Sequence, residues 1–147
     1  MLMGEYRHAM DAKGRLFMPA KLREDLGDKF IATQGIDGQL FVFSFEEWTN
    51  FANKLRSLPM SDPGAQAFVR LFVAGASECE VDKQGRFLLP PNLREYAGLI
   101  KDAVITGLIT RVEIWSAEAW DRYKSEYRDA ASEQYVEMLR SLQQFGI

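Results

Sequence analysis

Two arginines, Arg15 and Arg86, occupy the same place in two copies of one short charged pattern. The first copy reads DAKGRLFMP over residues 11–19, and the second reads DKQGRFLLP over residues 82–90. The guanidinium group of arginine is a planar fork of donors that can bind O6 and N7 of a guanine together in the major groove. A packing core has no need to repeat a charged stretch that contains glycine. The pattern therefore indicates a loop that is presented twice to a repeating partner.

Lysines beside the two arginines are suited to a related task. Lys13 lies in the first loop and Lys83 in the second, where Gln84 takes the place aligned with Lys13. We expect both lysines to contact phosphate, which positions a protein on DNA and adds salt dependence without sequence preference. Arg7, in the strand before the first loop, is a further candidate for a phosphate contact, whereas His8 is expected to be structural or solvated.

Acidic and glycine residues of the loops are expected to shape the turn rather than to bind DNA, because phosphate repels a carboxylate. Asp11 and Asp82 would cap their turns or hold their arginines by charge-assisted hydrogen bonds. Gly14 and Gly85 tolerate positive φ at low cost, and their small size lets a loop approach DNA closely. These four residues are therefore predicted to orient the loops.

A second arginine pair, Arg23 and Arg94, repeats at the same offset, on the short helices predicted after the loops. Each is followed by a glutamate, Glu24 or Glu95. The main expectation is a surface or intersubunit ion pair, and contact with DNA is the lesser alternative.

The repeat extends well beyond the loops. Positions 11–27 align with the positions 71 residues later in the chain, and after one inserted residue this offset becomes 72. The later matches include Gly35 with Gly107, Ser44 with Ser116 and Trp48 with Trp120. Each copy predicts a strand, the loop, a strand ending in proline, a helix of about two turns, two more strands and a longer helix.

These elements predict three segments. Residues 5–58 form the first half, residues 59–75 a Pro- and Gly-containing linker followed by an apolar helix, and residues 76–147 the second half with an amphipathic C-terminal helix. A half of about 50 residues buries little apolar surface alone. Interleaved strands would pool the apolar faces and remove exposed sheet edges. We therefore expect an α+β fold in which both halves form one pseudo-twofold small barrel with flanking helices, with the two loops close together on one face.

Composition excludes several classes of function. The net charge of −3 and the pI of about 5.3 argue against a broadly cationic nucleic-acid binder, but they allow a small basic patch repeated by oligomerisation. No apolar run approaches the roughly 20 residues that span a bilayer, so we expect no membrane partner and a cytoplasmic location. Cys79 is the one cysteine and His8 the one histidine, which excludes an intrachain disulfide and His-rich metal sites.

The order of elements in each copy, with its D-x-x-G-R loop and short L-R-E helix, resembles the AbrB-type swapped-hairpin DNA-binding domain. Two such copies in tandem, with a helical segment between them and a C-terminal helix, resemble the MraZ family over essentially the whole chain. The signature D-x-x-x-R of that family is present from Asp11 to Arg15 and from Asp82 to Arg86.

The resemblance implies a bacterial transcriptional regulator, usually a repressor, that binds direct repeats in double-stranded DNA upstream of the division and cell wall gene cluster. It also implies a closed homo-oligomeric ring, DNA contacts made by the two loops, association with the nucleoid, no cofactor and no catalysis. Since Gln84 replaces a lysine, the two loops are expected to bind unequally.

Three alternatives remain at this point. An assembly protein that uses the same scaffold without DNA predicts that Arg15 and Arg86 can both become alanine with no change in promoter binding. An AbrB-like antitoxin would use its C-terminal helix to neutralise a toxin, although such chains typically carry one copy and a disordered tail. An enzyme is disfavoured because no Ser-His-Asp set, zinc spacing or phosphate-binding loop is present.

Overall fold

The computed structural model describes residues 1–147 as eight strands and six helices. The strands are β1 (Leu2–Ala9), β2 (Arg15–Phe17), β3 (Lys29–Gln34), β4 (Leu40–Phe43), β5 (Ser77–Glu80), β6 (Arg86–Leu88), β7 (Asp102–Ile109) and β8 (Val112–Ser116). The helices are α1 (Ala20–Leu26), α2 (Phe45–Arg56), α3 (Pro63–Ala74), α4 (Pro91–Tyr96), α5 (Ala117–Arg128) and α6 (Glu133–Gln144). The predicted α+β class is confirmed, and so is the predicted order of elements in each copy.

Strand pairing interlocks the two copies of the repeat. Six strands form one antiparallel sheet in the order β1-β7-β8-β4-β3-β5, and β2 and β6 form a separate antiparallel pair. The first strand of each copy pairs with the third strand of the other copy, β1 with β7 and β5 with β3. The order is symmetric about the central β4–β8 pair, so the copies are related by a pseudo-twofold axis.

The six-stranded sheet is open, with β1 and β5 at its edges. The β2–β6 pair, here called the ribbon, is not a member of the larger sheet, since its strands have only three residues each between a loop and a proline. Exchange of strands between the copies is thus present, whereas the closed small barrel remains a prediction. By compactness the chain divides into Met1–Ser116, which holds every strand, and Ala117–Ile147. The segment boundaries predicted at residues 58 and 76 likewise stay a prediction.

One buried cluster joins the ribbon to the large sheet. Alternate residues of the sheet, such as Phe30, Leu40 and Ile114, share this cluster with residues of the ribbon. Leu16 and Phe87, the middle residues of β2 and β6, are 0% and 1% exposed. Because side chains alternate along a strand, burial of these two residues turns their neighbours, including both arginines, away from the core.

A second, aromatic cluster lies beneath α2 and α3. Phe41, Phe43 and Phe72 are buried there, and Trp48, Phe51 and Phe68 pack against them. Ser44 followed three residues later by Glu47 is a capping-box sequence, and the Ser44 hydroxyl accepts a hydrogen bond from the Glu47 backbone N–H at 3.1 Å. Within the segment predicted as a linker followed by a helix, Asp62 caps α3 and Pro63 already belongs to it.

The spacing of Phe45, Trp48 and Phe51 in the sequence is typical of a helix face that packs in a core. Trp48 and Phe51 do pack there, but Phe45, the first residue of α2, is 44% exposed. Pro19 and Pro90 occupy the N-cap positions of α1 and α4. Helices α5 and α6 pack on each other in the second unit. Within α5, the rings of Tyr123 and Tyr127 lie 4.7 Å apart. None of the helices combines the length and the apolar character needed to cross a bilayer.

Candidate nucleic-acid interface

Asp11 organises the first loop. One carboxylate oxygen, Oδ1, accepts hydrogen bonds from the backbone N–H groups of Lys13 at 3.0 Å and Arg15 at 2.9 Å. The other oxygen, Oδ2, accepts from Nε of Arg15 at 2.7 Å. The Gly14 N–H closes the turn on the Asp11 carbonyl at 3.0 Å. The sequence left open whether this carboxylate caps its turn or holds its arginine, and Asp11 does both.

Asp82 repeats the cap but holds its arginine more loosely. Its Oδ1 accepts from the backbone N–H groups of Gln84 at 2.8 Å and Arg86 at 3.0 Å. The Arg86 Nε lies 3.5 Å from Asp82 Oδ2, against 2.7 Å for the equivalent pair in the first loop. The backbone of the two loops is therefore alike, while the side chains of their arginines are held differently.

The ribbon brings the two loops together. Arg15 pairs with Leu88, and Phe17 with Arg86, in antiparallel register. The carbonyl of each loop glycine accepts a hydrogen bond from the other copy, Gly85 from Met18 N–H at 2.9 Å and Gly14 from Leu89 N–H at 3.0 Å. Arg86 Nη1 also lies 3.6 Å from Asp11 Oδ2. Both arginines therefore gather around one carboxylate, and the predicted closeness of the loops agrees with this arrangement.

The carboxyl groups of Asp11 and Asp82 both have a lowered pKa. Hydrogen bonds to the Asp11 carboxylate, first from the Arg15 backbone N–H, hold the pKa of Asp11 below its usual range, and partial burial opposes the shift. The Arg86 backbone N–H lowers the pKa of Asp82 in the same way. The side chains of Arg15 and Arg86 remain 32% and 31% exposed. Part of each side chain is therefore accessible to an external ligand, although the Nε atom of Arg86 is buried.

Of the other residues predicted to contact DNA, the two lysines lie on the loops and Arg7 does not. Lys13 and Lys83 are exposed on the two loops, beside the arginines. Arg7 lies outside the loops on the edge strand β1, where its guanidinium is 3.7 Å from Glu5. His8 packs its ring on Phe17 with 5.0 Å between ring centroids, as expected for a structural residue.

Arg23 and Arg94 were expected to form surface or intersubunit ion pairs. Within this chain they form none, and an intersubunit pair stays a prediction. Arg94 packs on the first loop, since a Cβ placed on Gly14 would overlap its guanidinium. The Cζ atom of Arg23 lies 6.0 Å from the centre of the Phe17 ring. Their shared offset of 71 residues was the signal in the sequence that linked them to the repeated loops.

Cys79 has a packing role rather than a chemical one. It is 4% exposed on β5, and burial raises the pKa of its thiol to about 11, with a smaller contribution from Glu78. The thiol is therefore protonated at neutral pH and unsuited to nucleophilic chemistry.

Comparison with known proteins matches both halves of the chain. The family model described as "MraZ protein, putative antitoxin-like" matches residues 1–71 and again residues 72–141, so each match contains one Asp–Arg loop. A protein of Desulforamulus reducens is 56% identical over 142 residues, which cover 97% of this chain and 99% of that protein. One of Thermoanaerobacter sp. is 54% identical with the same coverage, and one of Desulfitobacterium hafniense is 54% identical over the full length of both chains. All three bear the name "Transcriptional regulator MraZ".

Proposed function

The chain belongs to the MraZ family, and from that premise we propose that it is a transcriptional regulator that binds DNA sequence-specifically through its two Asp–Arg loops. The observation that carries this proposal is the cluster of Arg15 and Arg86 around the Asp11 carboxylate. The relatives are named transcriptional regulators and the family model is described as antitoxin-like; neither is the name of an enzyme, which agrees with the expectation that the chain catalyses nothing.

The geometry of the cluster supports base recognition. A bidentate contact from arginine to guanine needs the planar guanidinium to be held in one orientation, and a carboxylate on one edge of the group provides that restraint. Such a contact discriminates against a wrong base by about 1–3 kcal/mol. Arg15 and Arg86 are half-exposed and lie on one side of the ribbon, which suits two base contacts within one stretch of groove.

Local charge supports DNA as the partner in spite of the acidic chain. The two loops contain the cations Lys13, Arg15, Lys83 and Arg86 and only two carboxylates. A single site of this kind should bind DNA weakly, near the nonspecific range of about 10⁻⁴–10⁻⁶ M at physiological salt. Linking sites raises avidity by roughly 10²–10⁴-fold for a second site. We therefore include in the proposal a homo-oligomeric ring that binds direct repeats.

The remaining parts of the proposal come from the family resemblance. The protein would repress the division and cell wall gene cluster, and it would be cytoplasmic and associated with the nucleoid. Its unit of assembly would be an AbrB-like swapped-hairpin barrel. Strand exchange between the copies supports the last of these, since β1 and β5 each pair with the other copy.

A footprint on the DNA upstream of this chain's own gene tests the proposal. The wild type should protect repeated short words, and the Arg15→Ala/Arg86→Ala double variant should lose that protection while its circular dichroism is unchanged. Arg128→Ala provides a control, because this arginine is exposed on α5 and lies outside the loops. Equal protection by the wild type and the double variant would show that the loops do not bind DNA. An enforced monomer that binds as tightly as the oligomer would remove the ring from the proposal.

A further inference from the structure

Arg23 and Arg94 occupy equivalent positions on α1 and α4, the short helices that follow the two loops. Both side chains are half-buried, and the Nε atom of each is buried without a hydrogen-bond partner, as is the Nε atom of Arg86. Arg86 differs because Asp11 and Asp82 lie within ion-pair distance of it. No carboxylate of the chain lies within ion-pair distance of the Arg23 or Arg94 guanidinium. The ribbon is thus bordered by two further cations whose charge is not balanced by a neighbouring anion.

Arg94 packs on the loop of the other copy, whereas Arg23 packs on the strand that follows the loop of its own copy. Arg94, from the second copy, covers Gly14 of the first loop. Arg23, from the first copy, packs on Phe17, and the Phe17 ring in turn covers Gly85, since a Cβ there would lie 2.7 Å from its Cε2 atom. Both cations are therefore held against the ribbon by tertiary packing and do not extend freely into solvent.

The position of these cations is costly without an anion. A half-buried guanidinium loses part of its hydration, and here no carboxylate compensates for that loss. Both arginines lie in the last turn of their helices, where the helix dipole favours a cation, but this effect acts over one turn and is screened by salt. An anionic ligand bound at the ribbon would complete their interactions.

We propose that Arg23 and Arg94 bind phosphate oxygens of the DNA backbone on either side of the base-contacting Arg15 and Arg86, and so add affinity without sequence preference. This inference rests on the proposed function. It assigns different roles to the four arginines according to whether a neighbouring carboxylate partly neutralises the guanidinium. Arg15 and Arg86 are partly neutralised by Asp11 and Asp82, which weakens their attraction to phosphate and leaves orientation as their main property. Arg23 and Arg94 keep their full charge, which is what a sequence-independent contact to the backbone requires.

The test compares the Arg23→Gln/Arg94→Gln double variant with the wild type by fluorescence anisotropy. Binding is measured from about 50 to 200 mM salt on a duplex from the chain's own upstream region and on a shuffled duplex of the same composition. We expect affinity to fall on the order of tenfold on both duplexes, and the slope of log K against log salt to decrease by about 2. The ratio of the affinities for the two duplexes should be unchanged. The Arg23→Lys/Arg94→Lys variant, which keeps both charges, should restore the wild-type slope.

Controls separate this inference from the proposed function. Arg70→Gln removes an exposed arginine from α3 and should leave the slope unchanged. Thermal unfolding of each variant detects a merely structural role, which would lower the melting temperature without changing the slope and would overturn the inference. A fall in the ratio between the duplexes would indicate base contacts and would also overturn it.

The remaining outcomes concern both proposals. Unchanged affinity and slope in the double glutamine variant, with binding still lost in Arg15→Ala/Arg86→Ala, would overturn the phosphate contacts and leave DNA binding by the loops intact. Unchanged binding in both double variants would overturn the proposed function itself, and this inference with it.

Discussion

Arg86 and Asp11 belong to different loops, yet Arg86 Nη1 lies 3.6 Å from Asp11 Oδ2. The same oxygen accepts the hydrogen bond from Arg15 Nε at 2.7 Å. No reciprocal contact joins Asp82 to Arg15. The Asp11 carboxylate is therefore the group that couples the two loops, and the pseudo-twofold relation between the copies is broken at this point.

This asymmetry predicts unequal effects of two matched substitutions. Asp11→Asn should weaken binding to the upstream duplex by on the order of tenfold or more, because it weakens the hold on both guanidiniums. Asp82→Asn should cost only a few-fold, since it affects Arg86 alone. Asparagine keeps an oxygen that can accept the backbone hydrogen bonds, so both variants should fold. Fluorescence anisotropy measures the two affinities, and equal losses would contradict the coupling role of Asp11.

Stability should depend on pH through the same carboxylates. The pKa values of Asp11 and Asp82 are lowered in the folded state, so these two carboxylates bind protons more readily in the unfolded chain. Their contribution to the free energy of unfolding is therefore present above the ordinary carboxyl pKa of about 4, and it is lost as pH falls through the lower folded-state values. Urea titrations between about pH 6 and pH 3 should show a smaller decline in Asp11→Asn/Asp82→Asn than in the wild type. Identical declines would show that the loop carboxylates contribute nothing.

Glycine at the loop turns should be required for two different reasons. Gly14 and Gly85 have φ values of 84° and 83°, so alanine at either position should cost about 1 kcal/mol or more in the free energy of unfolding. Gly85→Ala should cost more, because its Cβ would also press on the Phe17 ring. Gly14→Ala should displace the flexible end of Arg94 and so lower DNA affinity with little additional loss of stability.

Gly38→Ala is the matched control for these two variants. Its φ is 86°, and a Cβ there would meet no atom within 4 Å. It should show the backbone cost alone and leave DNA affinity unchanged. Urea unfolding measures the stabilities, and a Gly38→Ala variant as damaging to DNA binding as Gly14→Ala would refute the argument from packing.

Gly107 should be necessary for the exchange of strands between the copies. It pairs with Gly4 in the β1–β7 ladder, and a Cβ at Gly107 would lie 2.7 Å from the Leu2 carbonyl carbon. Backbone cannot shift as cheaply as a side chain, so Gly107→Ala should cost roughly 2–3 kcal/mol and increase hydrogen exchange along β1. Gly64→Ala serves as a control, because its nearest neighbour would be Asp62 Oδ2 at 3.6 Å. Equal melting temperatures for the two variants would contradict the prediction.

The sequence by itself determined the features that depend on neighbouring residues. The turn glycines, the two Asp caps and the Ser44 cap of α2 all involve groups two to four residues apart, so each pattern carries its own contact. The repeat determined the order of elements and the pairing of equivalent positions. It also distinguishes Arg15 and Arg86 from the other arginines, because they occupy matching places in the two loops.

The tertiary structure decided which strands of the two copies pair with each other. Alternation of apolar and polar residues is satisfied equally by pairing within a copy or between copies, so it does not specify that β1 pairs with β7 and β5 with β3. The contact between Asp11 and Arg86, and that of Arg94 with Gly14, follow from the ribbon and have no local signal. Contacts between residues more than 70 positions apart are set by how the whole core is packed, and that packing places Arg94 on Gly14, a neighbour that the adjacent Glu95 did not predict.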